Sequence, residues 1–205
     1  VQDNAEESVR HAISKLSHRL KDGQFTLPLD NGAQIQVAVR IDANARSAVV
    51  DFTGTSAQQT NNFNAPTAVC MAAVPSVFRT LVDDDIPLNA GCLKPIEVII
   101  PTGSMLNPNP PASVVAGNVE TSSCITNALL GALGVSAGSQ PTMNNCTFGN
   151  ATHQYYETIA GGSGLGGVFV AAGPFVGGSS VSAVAYIHLH NSPLTRPDAF
   201  DFLLP

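Results

Sequence analysis

Val9, Ile13, Leu16 and Leu20 recur at steps of three and four residues, the apolar stripe of an amphipathic helix, which predicts a helix over residues 3–22. Asp3 followed three residues later by Glu6 matches a capping box. Glu6 and Glu7 suit the positive end of the helix dipole, and Gly23 stops the helix. The period then changes from 3.6 to 2. Phe25–Leu29 runs into Asn31-Gly32, a strong hairpin signal, and Ile35, Val37, Val39 and Ile41 alternate with Gln36, Ala38 and Arg40 as in a half-buried strand. A turn near Asp42–Arg46 leads to Ala48–Phe52, expected as the antiparallel neighbour.

Beyond Thr53 the pattern loses its amphipathic character. Residues 53–64 are rich in Thr, Asn and Gln and read as an ordered loop, while Ala65–Val82 is an apolar run long enough for a buried helix. Pro75 lies inside that run and is expected to kink or break it. Ile96–Ile100 reads as a short buried strand, Met105–Pro111 as a loop, and Glu120–Leu133 as a second buried helix. Further strands are expected at Tyr155–Ile159 and Ser182–His188. The class is α+β: mixed, largely antiparallel sheets with two or three buried helices, part of a larger multidomain protein. Residues 1–52 form a helix plus β-meander and residues 53–205 a charge-poor core region.

Composition changes the picture in one respect. The chain of 205 residues is 44% apolar, which excludes an unfolded tail, yet only 12% of its residues are charged, against about 25% in ordinary globular chains. Half of the charged residues lie in the first 50 positions, and residues 98–195 carry only Glu120 and Glu157. A free domain needs a charged surface, so this stretch is expected to be covered by more of the same polypeptide or by a partner. The sequence opens at Val1 directly into a helical pattern, with neither initiator Met nor signal peptide, which also points to a piece of something larger. The formal charge of −6 and the lack of any Lys/Arg cluster argue against nucleic acid, and no apolar run approaches a membrane span. Cys70, Cys92, Cys124 and Cys146 include no CxxC pair, so buried free thiols and a reducing, cytoplasmic setting are expected, with no metal bound by this chain.

The two isolated carboxylates are the first candidates for chemistry, because a carboxylate in apolar surroundings is costly unless paired or used. Glu120 lies in Ala116–Ser122, where it is either a carboxylate satisfied by the helix N-terminus or a catalytic group. Glu157 lies mid-strand in Tyr155–Thr158 and reads as a base or as a carboxylate for a substrate amine. Asn144 with Asn145 offers paired donors and acceptors suited either to orienting an amide or, equally, to stabilising a loop, and Asn118 is a further substrate-binding candidate. Gly162, in a loop where Gly162, Gly164 and Gly167 formally match G-x-G-x-x-G, allows close backbone approach. That loop lacks the following helix and acidic residue of a dinucleotide site, and no lysine after Lys94 exists for a Ser-Ser-Lys amidase triad. His188 and His190 share a strand face, of which His188 is the substrate-binding candidate.

Six blocks in order carry a resemblance: Asp51–Ser56, Asn64-Ala65-Pro66, Asp85–Cys92, Val114–Ser122, Thr142–Asn145 and Tyr155–Thr158. Together they resemble the hydantoinase B family, closest to the hydantoinase-B-like half of ATP-dependent 5-oxoprolinases, over nearly the whole chain. The resemblance implies an ATP-dependent cyclic-amide hydrolase that converts 5-oxo-L-proline to L-glutamate. It implies ATP and Mg bound by a hydantoinase-A-like half or subunit and not by this chain, room for a divalent metal outside this stretch, and a homo-oligomeric parent. Relatives acting on hydantoins, or carboxylating ketones, share the architecture, and a non-catalytic scaffold member is the remaining reading. The chain alone is expected to be inactive. It departs from the family pattern at Pro75, at Pro141, at Tyr186 where a histidine is usual, and at Pro193.

Overall fold

The computed structural model describes residues 1–135 and 143–160, which belong to two separate units, 1–135 and 136–205. In the first unit the order is α1 (Gln2–Ser17), β1 (Asp22–Pro28), β2 (Gln34–Asp42), β3 (Ser47–Asp51), α2 (Thr67–Thr80), β4 (Ile96–Ile99) and α3 (Glu120–Leu133). Single 3-10 turns lie at Ala90–Leu93 and Val115–Gly117. The second unit is described as a hairpin of β5 (Met143–Gly149) and β6 (Gln154–Ala160).

Strands β1 to β4 form one sheet in chain order, antiparallel at β1–β2 and β2–β3 and parallel at β3–β4. The parallel pairing is possible because the long connection through α2 returns the chain in the same direction. Alternation sorts the faces. Leu27, Ile35, Val37, Val39, Ala48, Val50 and Ile96 are buried in the core, whereas Gln24, Thr26, Arg40 and Glu97 are exposed. Helix α3 packs across β1 and β2 with α2 beside it. Asn31-Gly32 turns the β1–β2 hairpin as expected, with Gly32 at φ 85° and the Asn31 side chain accepting from Ala33 N–H.

Three details depart from the sequence expectation. Helix α1 stops at Ser17, because Asp22 and Gly23 are recruited into β1 opposite Arg40 and Val39. The capping box does not form. Asp3 sits inside the first turn and pairs with Lys94 at 3.0 Å, while Glu6 pairs with Arg10 at 2.9 Å and Lys94 at 3.0 Å. Ion pairs to a neighbouring turn thus take the carboxylates that would have capped the helix. Helix α2 runs through Pro75 without a break. The imino residue removes one helical hydrogen bond, a cost of about 3 kcal/mol. Cys70, Val74, Val77 and Phe78 on the same helix are fully or almost fully buried, and each large apolar side chain returns about 1.5–3 kcal/mol.

Lys94 holds the Asp3 carboxyl below the usual carboxylate range, Arg10 and then Lys94 do so for Glu6, and Arg46 does so for Glu7. Lowered folded values mean that these carboxylates contribute stability above about pH 4 and lose it as pH falls through the folded values. The urea midpoint is expected to drop on acidification over that window, and Lys94→Met to flatten the drop. An acid limb unchanged in the variant would show that Lys94 does not fasten α1.

Candidate functional site

The first candidate site is built on a buried asparagine. Asn64, with no solvent exposure, ends the polar loop that follows β3. Its Oδ1 accepts from Gln59 N–H at 2.7 Å, and its Nδ2 donates to the carbonyls of Gln59, Asn61 and Ser113 at 2.9, 3.1 and 3.0 Å. The contact to Ser113 joins segments 49 residues apart. Ala116 N–H donates to the Asn62 carbonyl at 3.0 Å, and the buried Thr121 hydroxyl to the Phe63 carbonyl at 2.6 Å. Residues 113–121 are therefore laid along residues 59–64. The approach is so close that a Cβ on Gly117 would lie 2.4 Å from the Asn64 carbonyl oxygen, so only glycine fits there.

This lattice presents Asn118 at the surface and Glu120, half-buried, in the first turn of α3. Among the described residues the Glu120 carboxylate has no hydrogen-bond or ion-pair partner, the N–H groups of the first turn of α3 included. Burial pushes its carboxyl pKa up. One turn further, the Cys124 thiol is pushed up to about 11, first by burial and then by the charges of Glu120 and Asp30. Two turns from Glu120, Asn127 Oδ1 is buried without a partner among the described residues. Positions 120, 124 and 127 follow the i, i+4, i+7 spacing of one helix side. Asn64, Thr121, Cys124 and Asn127 escape a search for charged residues. A polar row at helical spacing inside an apolar helix is the signal that marks the last two.

The remaining candidates belong to the second unit. The β5–β6 register sets Asn144 opposite Ile159, Asn145 opposite Thr158 and Cys146 opposite Glu157. Positions 144, 146, 157 and 159 thus fall on one face of the hairpin and positions 145, 147, 156 and 158 on the other. Asn144 and Glu157 share a face, and Asn145 does not. β5 starts at Met143, inside a polar stretch that shows no strand alternation. Gly162, Gly164, Gly167, His188, His190, the strand expected at Ser182–His188, and Pro141, Tyr186 and Pro193 lie outside the described residues.

A groove of about 370 Å³ between α1 and the segment after α2 is lined by Glu7, Ser8, His11, Lys15, Asp83 and Asp84 and contains none of the candidate residues. Among the described residues, no three His, Cys, Asp or Glu side chains gather as a metal site, and no helix is long and apolar enough to cross a membrane. Arg10, Lys15, Arg40, Arg46, Arg79 and Lys94 are engaged with carboxylates, while Arg19 and Lys21 stand outside those ion pairs.

The sequence profile of hydantoinase B/oxoprolinase matches residues 1–193. 5-Oxoprolinase 1 of Arabidopsis thaliana is 42% identical over 100% of this chain and 16% of its own length, and the 5-oxoprolinase of Saccharomyces cerevisiae 41% over 81% of this chain and 14% of its own. The fold is similar to that of an ATP-dependent caprolactamase from Pseudomonas jessenii, with a TM-score of 0.54 and 17% identity over 78% of this chain and 31% of that one. The chain belongs to the hydantoinase B/oxoprolinase family. It spans about a sixth of the length of the 5-oxoprolinases it matches.

Two measurements check the electrostatics. Glu120 has a folded pKa above its ordinary value, so its charge destabilises the fold at neutral pH and is absent well below about pH 4. Glu120→Gln should raise the urea midpoint at pH 7 and leave it unchanged at pH 3; an equal shift at both would remove burial as the cause. The Cys70 and Cys124 thiols, pushed up to about 12 and about 11 by burial, should resist iodoacetamide at pH 8 until denaturant is added. Fast labelling of the folded chain would contradict their environment.

Proposed function

We propose that this chain is part of an ATP-dependent cyclic-amide hydrolase that opens 5-oxo-L-proline to L-glutamate. The observation that carries the reading is 42% identity across the whole chain to a protein named 5-oxoprolinase 1. A lactam is a poor electrophile because nitrogen donates into its carbonyl, and ATP cleavage supplies the missing activation. We assign ATP and its Mg to a hydantoinase-A-like part outside this chain, since its sequence holds no phosphate-binding P-loop. Any divalent metal is likewise assigned elsewhere, and the parent is read as a homo-oligomer in the cytoplasm, where Cys70, Cys92 and Cys124 stay as the free thiols they are.

In the net reaction water oxygen bonds to the carbonyl carbon, the C–N bond breaks, and the nitrogen leaves protonated. Glu120 is assigned the proton delivered to that nitrogen. A carboxyl with a raised pKa keeps its proton at higher pH than an ordinary one, and among the described residues Glu120 has no partner competing for it. Asn118, exposed two residues before it, is assigned to the amide. Glu157 is assigned as a carboxylate for the attacking water or the substrate amine, Asn144 and Asn145 as substrate amide contacts, and Gly162 and His188 as further substrate contacts, all on motif position alone.

The full-length protein supplied with 5-oxoproline and ATP should release ADP and glutamate together. Glu157→Gln should lower turnover at least about tenfold without unfolding the protein. Unchanged turnover would remove Glu157 from the reaction, and no turnover by the unaltered protein would point to another cyclic amide.

A further inference from the structure

We propose that Asn64 and Thr121 are positioning residues, which fix Asn118 and Glu120 through the polar lattice between residues 59–64 and 113–121. The inference rests on the reading of Glu120 given above. Its basis is how that segment is held. In the 3-10 turn Val115–Gly117 the buried residue is Gly117, which has no side chain, while Val115 is 81% exposed and Asn118 is exposed. Apolar burial therefore does not locate the turn. Three polar crossings do: Asn64 Nδ2 to the Ser113 carbonyl, Ala116 N–H to the Asn62 carbonyl, and the Thr121 hydroxyl to the Phe63 carbonyl.

Both side chains are deeply buried, Asn64 at 0% and Thr121 at 1% exposure. Burying polar groups gains little stability over apolar ones of the same shape, but it demands one geometry, since any slip leaves a buried group unpaired. Thr121 adjoins Glu120, so the bond that anchors its side chain also sets where the first turn of α3 begins. An anchor of this kind serves placement of the Glu120 carboxylate, which has no partner of its own among the described residues.

The test uses the full-length protein. Thr121→Val keeps the shape and removes the hydroxyl, Thr121→Ser restores it, and Asn64→Asp replaces the donating amide with oxygen. Thr121→Val should lower kcat with 5-oxoproline and ATP about tenfold, leave KM for ATP unchanged, and be rescued to within about threefold by Thr121→Ser. In a Glu120→Gln background the same change should cost almost nothing further, because a positioning residue acts through the group it places. Equal losses in both backgrounds would overturn the proposal. A Glu120→Gln protein with full activity would overturn it too, while locating the failure in the reading of Glu120. A readout independent of activity is amide hydrogen exchange: Gly117–Glu120 should exchange at least about tenfold faster in Thr121→Val, with β2 and β3 unchanged. Unaltered exchange at these amides would sink the idea even if turnover fell. Should Asn64→Asp fail to fold, the Thr121 pair decides alone.

Discussion

The hydrogen bonds of Asn64 are the constraint from which the rest of the first unit's candidate site follows. One side chain, wholly inside the protein, closes its own loop through Gln59 and Asn61 and reaches Ser113 across 49 residues. Residues 107–119 bury no apolar side chain, so that reach and the crossings at Ala116 and Thr121 hold the turn in place. The backbone at Gly117 comes so near Asn64 that a Cβ there would lie 2.4 Å from the Asn64 carbonyl oxygen, an approach held by the polar contacts between the two segments. α3 then begins where this lattice ends, and its apolar residues Ile125, Leu129 and Leu133 seat it on the sheet.

Two kinds of force are thus divided between two regions. Charged residues fasten α1: Lys94 bridges Asp3 and Glu6, and Arg46 reaches Glu7. Neutral polar groups fasten the loops that carry Asn118 and Glu120. Ion pairs at the surface are weak and screened, whereas buried neutral hydrogen bonds are insensitive to salt and unforgiving of distortion. The low charge content of residues 98–195 leaves the second kind to hold the candidate site.

Much of the fold was legible because it was written in period. Ile35, Val37 and Val39 announce β2, Asn31-Gly32 announces the hairpin, and Glu120–Leu133 is the helix observed. What was not legible depended on partners distant in sequence. Nothing near Asp3 or Glu6 says that Lys94 will draw them away from capping, and the apolar run around Pro75 does not name α3, the distant element against which the unbroken helix packs. β5 was missed because Met143-Asn144-Asn145 has no alternation, and its pairing comes from β6. At the site, charge scarcity picked out Glu120, but Asn64 and Thr121 look in the sequence like ordinary loop and helix residues. Their importance lies in carbonyls at Ser113 and Phe63, which no side-chain pattern encodes.

Whatever grips the Val114–Asn118 turn meets it at its main chain: Asn64 Nδ2 at the neighbouring Ser113 carbonyl, the Asn62 carbonyl at the Ala116 N–H, and close backbone approach at a glycine. The outward side chains at Val115 and Asn118 take no part in that grip. The turn therefore behaves as a display stand whose shape is independent of what it shows. Exchanging those two residues would change the surface offered to a small molecule or to the rest of the polypeptide while leaving the frame beneath untouched.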